Sequence, residues 1–124
     1  MRKKHFVAVY GTLKNGKPNH SLMALIGAEF VGAAKTIEKY PLICGGGLPY
    51  LFENIGVGHR VNTEVYKVDD DGLKILDRFE GHPNFYIRKP CECELPNGEK
   101  RVCSIYFINK KRTDFGGFIL QKNC

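Results

Sequence analysis

Two short segments far apart in the chain carry residue types that could do chemistry together. Tyr10-Gly11-Thr12-Leu13 is where an apolar, strand-like run breaks into a loop studded with glycine and lysine, and Glu80 is a carboxylate immediately before Gly81. A loop with free backbone N–H groups can hold a carboxylate or a developing oxyanion. A buried glutamate can carry protons near neutral pH. The pair suffices for an intramolecular acyl transfer with no metal and no covalent enzyme intermediate.

The elements that must position these groups follow from local pattern. His5-Phe6-Val7-Ala8-Val9-Tyr10 reads as a strand, and Gly11 ends it. Gly11 has no Cβ, so the backbone can turn and a ligand can approach closely. Thr12 adds a hydroxyl, and Lys14 and Lys17 are expected to make the loop mouth cationic. Pro18-Asn19 reads as a helix start, with Leu22, Leu25 and Ile26 predicting one apolar stripe. A second helix is expected after Asp69-Asp70-Asp71-Gly72, whose acidic residues suit a helix N-terminus. Leu73, Leu76 and Phe79 predict its inward face, while Lys74, Asp77 and Arg78 take the polar side. Glu80 lies at i+4 from Leu76 and falls back on the inward face. Gly81 is expected as the C-cap, with Pro83 stopping the helix. Desolvation and the negative end of the helix dipole both predict a raised pKa for Glu80.

Other chemistries fit less well. Gly11 to Lys17 satisfies G-x-x-x-x-G-K, but Pro18 stands where a phosphate-binding loop needs a Ser or Thr hydroxyl for Mg²⁺. The net charge of +6 comes partly from Arg2-Lys3-Lys4 and Lys110-Lys111-Arg112. These basic runs are not interleaved with aromatics as single-strand platforms require, so they read as solvated flanks and no nucleic acid is expected. Five cysteines form no disulfide framework by spacing, which suits a reducing compartment. Cys91 and Cys93 share one strand face, but a two-residue Asn97-Gly98 hairpin would pair Cys103 with Glu92 and turn it away. No metal site is therefore expected. His20, His59 and His82 have no ligand spacing to one another.

The chain has 124 residues, with no long apolar stretch, signal-peptide pattern or repeat. That predicts one domain over residues 1–124, cytoplasmic, off the membrane and monomeric. Between Ala28 and Val68 the chain is strand-like with glycine interruptions, including Gly45-Gly46-Gly47 and Gly56-x-Gly58. Such strands bend sharply, as in a small barrel. The fold class predicted is α+β: a mixed, largely antiparallel β-barrel with two short helices packed outside.

Several segments together resemble one family. Val9-Tyr10-Gly11-Thr12-Leu13-Lys14-Asn15-Gly16-Lys17-Pro18-Asn19-His20 is similar to the signature of the γ-glutamylcyclotransferase-like superfamily, and Pro18-Asn19-His20 points to its γ-glutamylamine cyclotransferase branch. Tyr40-Pro41-Leu42 resembles that branch's second motif. Val61 to Asp69, followed by Leu76-Asp77-Arg78-Phe79-Glu80, matches the strand and helix leading into its catalytic carboxylate. Phe85-Tyr86-Ile87-Arg88 resembles the next strand. Two positions depart: Thr63 replaces the family's usual Gly, and Asp114 to Cys124 lacks the branch's Tyr-rich tail.

The resemblance implies the superfamily's barrel fold. It implies Glu80 as catalytic acid and base, with Tyr10, Gly11, Thr12 and Leu13 holding the γ-glutamyl group or the 5-oxoproline product. It further implies cyclisation of γ-glutamyl amines such as γ-glutamyl-ε-lysine, a small-molecule substrate and no cofactor. Two alternatives stand beside it: a γ-glutamyl amino acid cyclotransferase, and a non-catalytic module binding γ-glutamyl or pyroglutamyl ligands. Retention of Glu80 speaks against the module, because anion binding alone favours Arg or Lys.

Overall fold

Strand alternation divides the apolar side chains between two cores. The computed structural model describes residues 3–45 and 48–109. Its elements are β1 (Lys4–Val9), α1 (Ser21–Leu25), β2 (Glu29–Tyr40), β3 (Leu42–Gly45), β4 (Leu48–Leu51), β5 (His59–Asp69), α2 (Asp70–Glu80), β6 (Tyr86–Glu94) and β7 (Lys100–Ile108). On β5, Val61 and Val65 point into one core while Tyr66 and Val68 point into the other. Period-two alternation of this kind puts successive side chains on opposite faces.

The sheet closes into a barrel in the order β1-β5-β2-β6-β7, with β3 and β4 as a separate hairpin. Its ladders are antiparallel except where β1 meets β7, at Val7 and Ser104. The expected mixed, largely antiparallel barrel with two short helices is the fold observed. Closure needs bent strands, and β2 supplies the bend through register shifts between Phe30 and Gly32 and between Lys35 and Lys39. The second shift would orphan a backbone donor. Thr36, fully buried, repairs it: its Oγ1 accepts from the Val61 N–H at 2.8 Å and donates to the Glu38 carbonyl at 2.7 Å.

The β6–β7 hairpin overturns one sequence expectation. Cys91 pairs with Cys103 and Cys93 with Arg101, so the three thiols share the interior face and are buried together. A two-residue loop would need residue 96 to donate across the ladder, and Pro96 has no N–H. The chain instead turns through Pro96, Asn97 and Gly98, with Gly98 N–H bonded to Leu95 O at 2.9 Å and Leu95 N–H to Glu99 O at 2.8 Å. Pro at the second turn position and a left-handed Gly98 suit this three-residue hairpin. Cys44 is disulfide-bonded, which also departs from the expectation of unpaired thiols.

The helices differ in how well pattern predicted them. In α2, Asp69 caps the start by accepting from Gly72 N–H at 2.8 Å, and Leu73 and Leu76 are buried as expected. Phe79 is 46% exposed. The first helix starts at Ser21 rather than Pro18, buries Met23, and leaves Leu25 82% exposed. Five residues make barely more than one turn, too short for a three-residue stripe to face one way. Among the described residues no helix is long and apolar enough to cross a membrane. Gly46, Gly47, Lys110-Lys111-Arg112 and the Asp114 to Cys124 tail lie outside the described residues.

Candidate active site

The loop after β1 is built so that its carbonyls are occupied. Gly11 O accepts from Lys14 N–H at 3.1 Å, which folds Gly11 to Lys14 into a turn. Asn19 then clamps Thr12 twice, its backbone N–H on Thr12 O and its Nδ2 on Thr12 Oγ1, each at 2.9 Å. His20 Nδ1 donates to Leu13 O at 2.9 Å. Among the described residues nothing accepts from the N–H groups of Gly11, Thr12 or Leu13. Asn19 and His20 thus brace the loop. Gly11 has a steric reason to be glycine, since a Cβ there would lie 2.4 Å from Pro49 Cγ.

The carboxylate arrives from the far end of α2. Gly81, at φ 68°, closes the helix with its N–H on Arg78 O, while His82 N–H bonds Asp77 O. Asp77 anchors that end to the barrel, accepting from Arg88 Nε at 2.8 Å, Arg88 Nη2 at 3.1 Å and Tyr106 Oη at 2.7 Å. Burial works against the Asp77 carboxylate, but these hydrogen bonds outweigh it and hold its pKa below the usual range.

Glu80, Tyr10, Gly11, Thr12 and Leu13 all line one cavity of about 290 Å³. Its deeper wall is Ala8, Val9, Tyr10, Tyr86 and Tyr106, all buried, and Asn19, Pro49, Arg78, Phe79, Gly81 and Phe85 complete it. Glu80 is partly buried, and desolvation pushes its pKa up to about 7. Burial is the cause of this shift. None of the three neighbouring phenols donates to the carboxylate, because each donates elsewhere. Tyr10 bonds Tyr106 O, Tyr86 bonds Pro49 O, and Tyr106 bonds Asp77. Burial, with the Glu80 charge adding to it, raises all three phenol pKa values.

Some expectations moved. Lys14 and Lys17 do not line the cavity, and among the described residues the cation that does is Arg78. Thr63 is likewise absent from the lining, sitting 3% exposed on β5 with its hydroxyl unpartnered among the described residues. Pattern reading missed Tyr86, Tyr106 and Pro49. Tyr86 lies in the strand flagged after α2, and outward alternation on β6 and β7 was the available signal.

Residues 7–121 match the family described as gamma-glutamyl cyclotransferase, AIG2-like, and the chain belongs to that family. Gamma-glutamylaminecyclotransferase of Bos taurus is 44% identical over 104 residues, covering 70% of this chain and 61% of the bovine one. Gamma-glutamylaminecyclotransferase B of Danio rerio is 39% identical over 113 residues, covering 86% of this chain and 59% of its own length. The chain therefore spans about three fifths of the length of these curated relatives. The crystal structure of an AIG2-like protein from Mus musculus superposes with a TM-score of 0.91 at 31% identity, covering 98% of this chain and 88% of that one.

Proposed function

We propose that the protein is a γ-glutamylamine cyclotransferase, converting γ-glutamyl amines to 5-oxoproline and a free amine without a cofactor. One observation carries the reading. Among the described residues Glu80, poised near pH 7, is the one carboxylate lining a cavity that Gly11, Thr12 and Leu13, whose N–H groups have no acceptor there, also line. The names of the bovine and fish relatives support the same activity.

The chemistry follows from the arrangement. The α-amino nitrogen of a γ-glutamyl unit can close a five-membered ring on its own γ-carbonyl, so proximity is built into the substrate. Glu80 as carboxylate takes a proton from the α-ammonium, and the freed amine attacks the γ-carbonyl carbon. The negative charge that develops on the carbonyl oxygen, or the α-carboxylate, is held by the loop N–H groups. Glu80, now protonated, gives its proton to the departing nitrogen as the original C–N bond breaks, and the surplus proton on the ring nitrogen returns to Glu80 and leaves with the amine as its ammonium. A single group acts in both directions because its pKa lies near the working pH.

The test is 5-oxoproline release, with kcat/KM measured for γ-glutamyl-ε-lysine, γ-glutamyl-alanine and glutathione. The ε-linked amine is expected to win. A dipeptide or glutathione winning would keep the cyclisation and overturn the branch; no 5-oxoproline from any substrate would overturn the whole reading.

A further inference from the structure

The cavity is graded by depth, and the gradient assigns its two ends to different parts of a substrate. Ala8, Val9, Tyr10, Tyr86 and Tyr106 are at most 7% exposed and form the floor. Phe79 and Phe85, at 46% and 37% exposed, stand at the mouth with exposed Arg78. Glu80 and the residues of the N–H loop line the same cavity. A γ-glutamyl head held by those groups therefore fills the floor, and the substituent on its amide nitrogen leaves across the rim.

The rim has a definite chemistry. Phe79 and Phe85 offer apolar surface that a polar or short substituent could not use. Among the described residues Arg78 has no ion pair, and no other cation of those residues lines the cavity. Its place in the last turn of α2 suits the helix dipole, but that role does not require a position on the cavity wall. A guanidinium recognises carboxylates through a planar pair of donors.

Resting on the function proposed above, we infer that Phe79, Phe85 and Arg78 select the leaving amine: an unbranched alkyl chain lies against the two rings and a carboxylate at its far end meets Arg78. These are specificity residues. The proton transfers remain with Glu80.

A matched pair of substrates isolates the claim: γ-glutamyl-6-aminohexanoate and γ-glutamyl-hexylamine share chain length and differ in the terminal carboxylate. The protein should favour the carboxylate-bearing substrate in kcat/KM by about three- to tenfold, mainly through KM, as one partly exposed charged contact provides. That ratio should fall with added NaCl. Arg78→Gln should bring it close to one, and Arg78→Lys should restore part of it. Phe79→Ala should raise KM for both substrates together and leave the ratio standing. Absence of a preference, or a preference that survives in Arg78→Gln, overturns the inference while the cyclisation stands. Release of 5-oxoproline from neither of these nor from γ-glutamyl-ε-lysine overturns the function and the inference with it.

Discussion

At the scale of single residues, Glu80 and Gly11 carry the sharpest consequences. Glu80→Gln keeps the shape but cannot exchange a proton, so turnover should fall roughly 10²–10⁴-fold while ligand binding persists. Assay of 5-oxoproline release checks this, and near-native turnover would assign the proton work to another group. The pKa near 7 also fixes the direction of pH effects. The carboxylate form starts the reaction, so kcat/KM of the native protein should rise with pH through about 7. Stability runs the other way. The folded protein holds the proton more tightly than the unfolded chain, whose glutamate has an ordinary pKa of 4.5, so stability declines as pH climbs from there through the folded value. Each pKa unit is worth about 1.4 kcal/mol, and partial water access at the cavity reduces the penalty at pH 8 to on the order of 1–2 kcal/mol. Glu80→Gln removes it, so the variant should melt higher than the native protein at pH 8 and match it near pH 4. Equal melting temperatures at pH 8 would show that the carboxylate is solvated. Gly11→Ala meets Pro49 at 2.4 Å and should cost about 1–3 kcal/mol in a urea titration, because the Pro49 ring must shift before a methyl fits.

At the scale of elements, the loop from Gly11 to His20 is the part most dependent on its own sequence. Asn19→Ala removes the Nδ2 bond to Thr12 while leaving the backbone clamp in place. Stability should change by only about 1 kcal/mol, the net worth of one hydrogen bond. The N–H groups would nonetheless lose their fixed aim, and kcat/KM should fall about tenfold, since small misplacements are costly in a preorganised site. An unchanged kcat/KM would mean that the turn stands without its brace. This loop also marks what pattern could reveal. Strand, breaker and motif were legible because they are local, and α2 was legible because a capping aspartate, an apolar stripe and a terminal glycine agree over eleven residues. Where a single local signal was read alone, it misled. Asn97-Gly98 announced a two-residue turn, but Pro96 lacks the donor that turn needs, and one residue of slip moved Cys103 to the opposite face. Tyr86 and Tyr106 reach Glu80 only because β6 and β7 pair along the whole hairpin and pack beside α2. No local periodicity encodes that meeting.

At the scale of the whole molecule, the barrel interior and the cavity are chemically separate compartments, although Ala8 and Tyr10 contribute to both. The interior holds Cys91, Cys93 and Cys103, at most 4% exposed, and among the described residues no cysteine lines the cavity. Hydrogen bonding with Cys103 and Cys91, together with burial, drives the Cys93 thiol far above the usual range. A buried, protonated thiol is a poor nucleophile. Hydrogen bonds with Cys93 lower the Cys91 and Cys103 thiols instead, so it is burial that should make all three cysteines resist iodoacetamide in the folded protein, and all three should be modified in denaturant, as peptide mass spectrometry would read out. Modification at comparable rates in both states would mean that the barrel opens far more readily than its closed sheet implies. Among the described residues no group of three or more His, Cys, Asp or Glu side chains is arranged to hold a metal ion. The proposed cyclisation draws only on Glu80, the loop N–H groups and the substrate's own amine, so it asks for no Lewis acid. EDTA should then leave 5-oxoproline release unchanged. Because the corrected hairpin register brings three thiols together, this is a stricter test than the sequence implied. Activity lost to the chelator and restored by zinc would give the thiols a metal and join the two compartments in one mechanism.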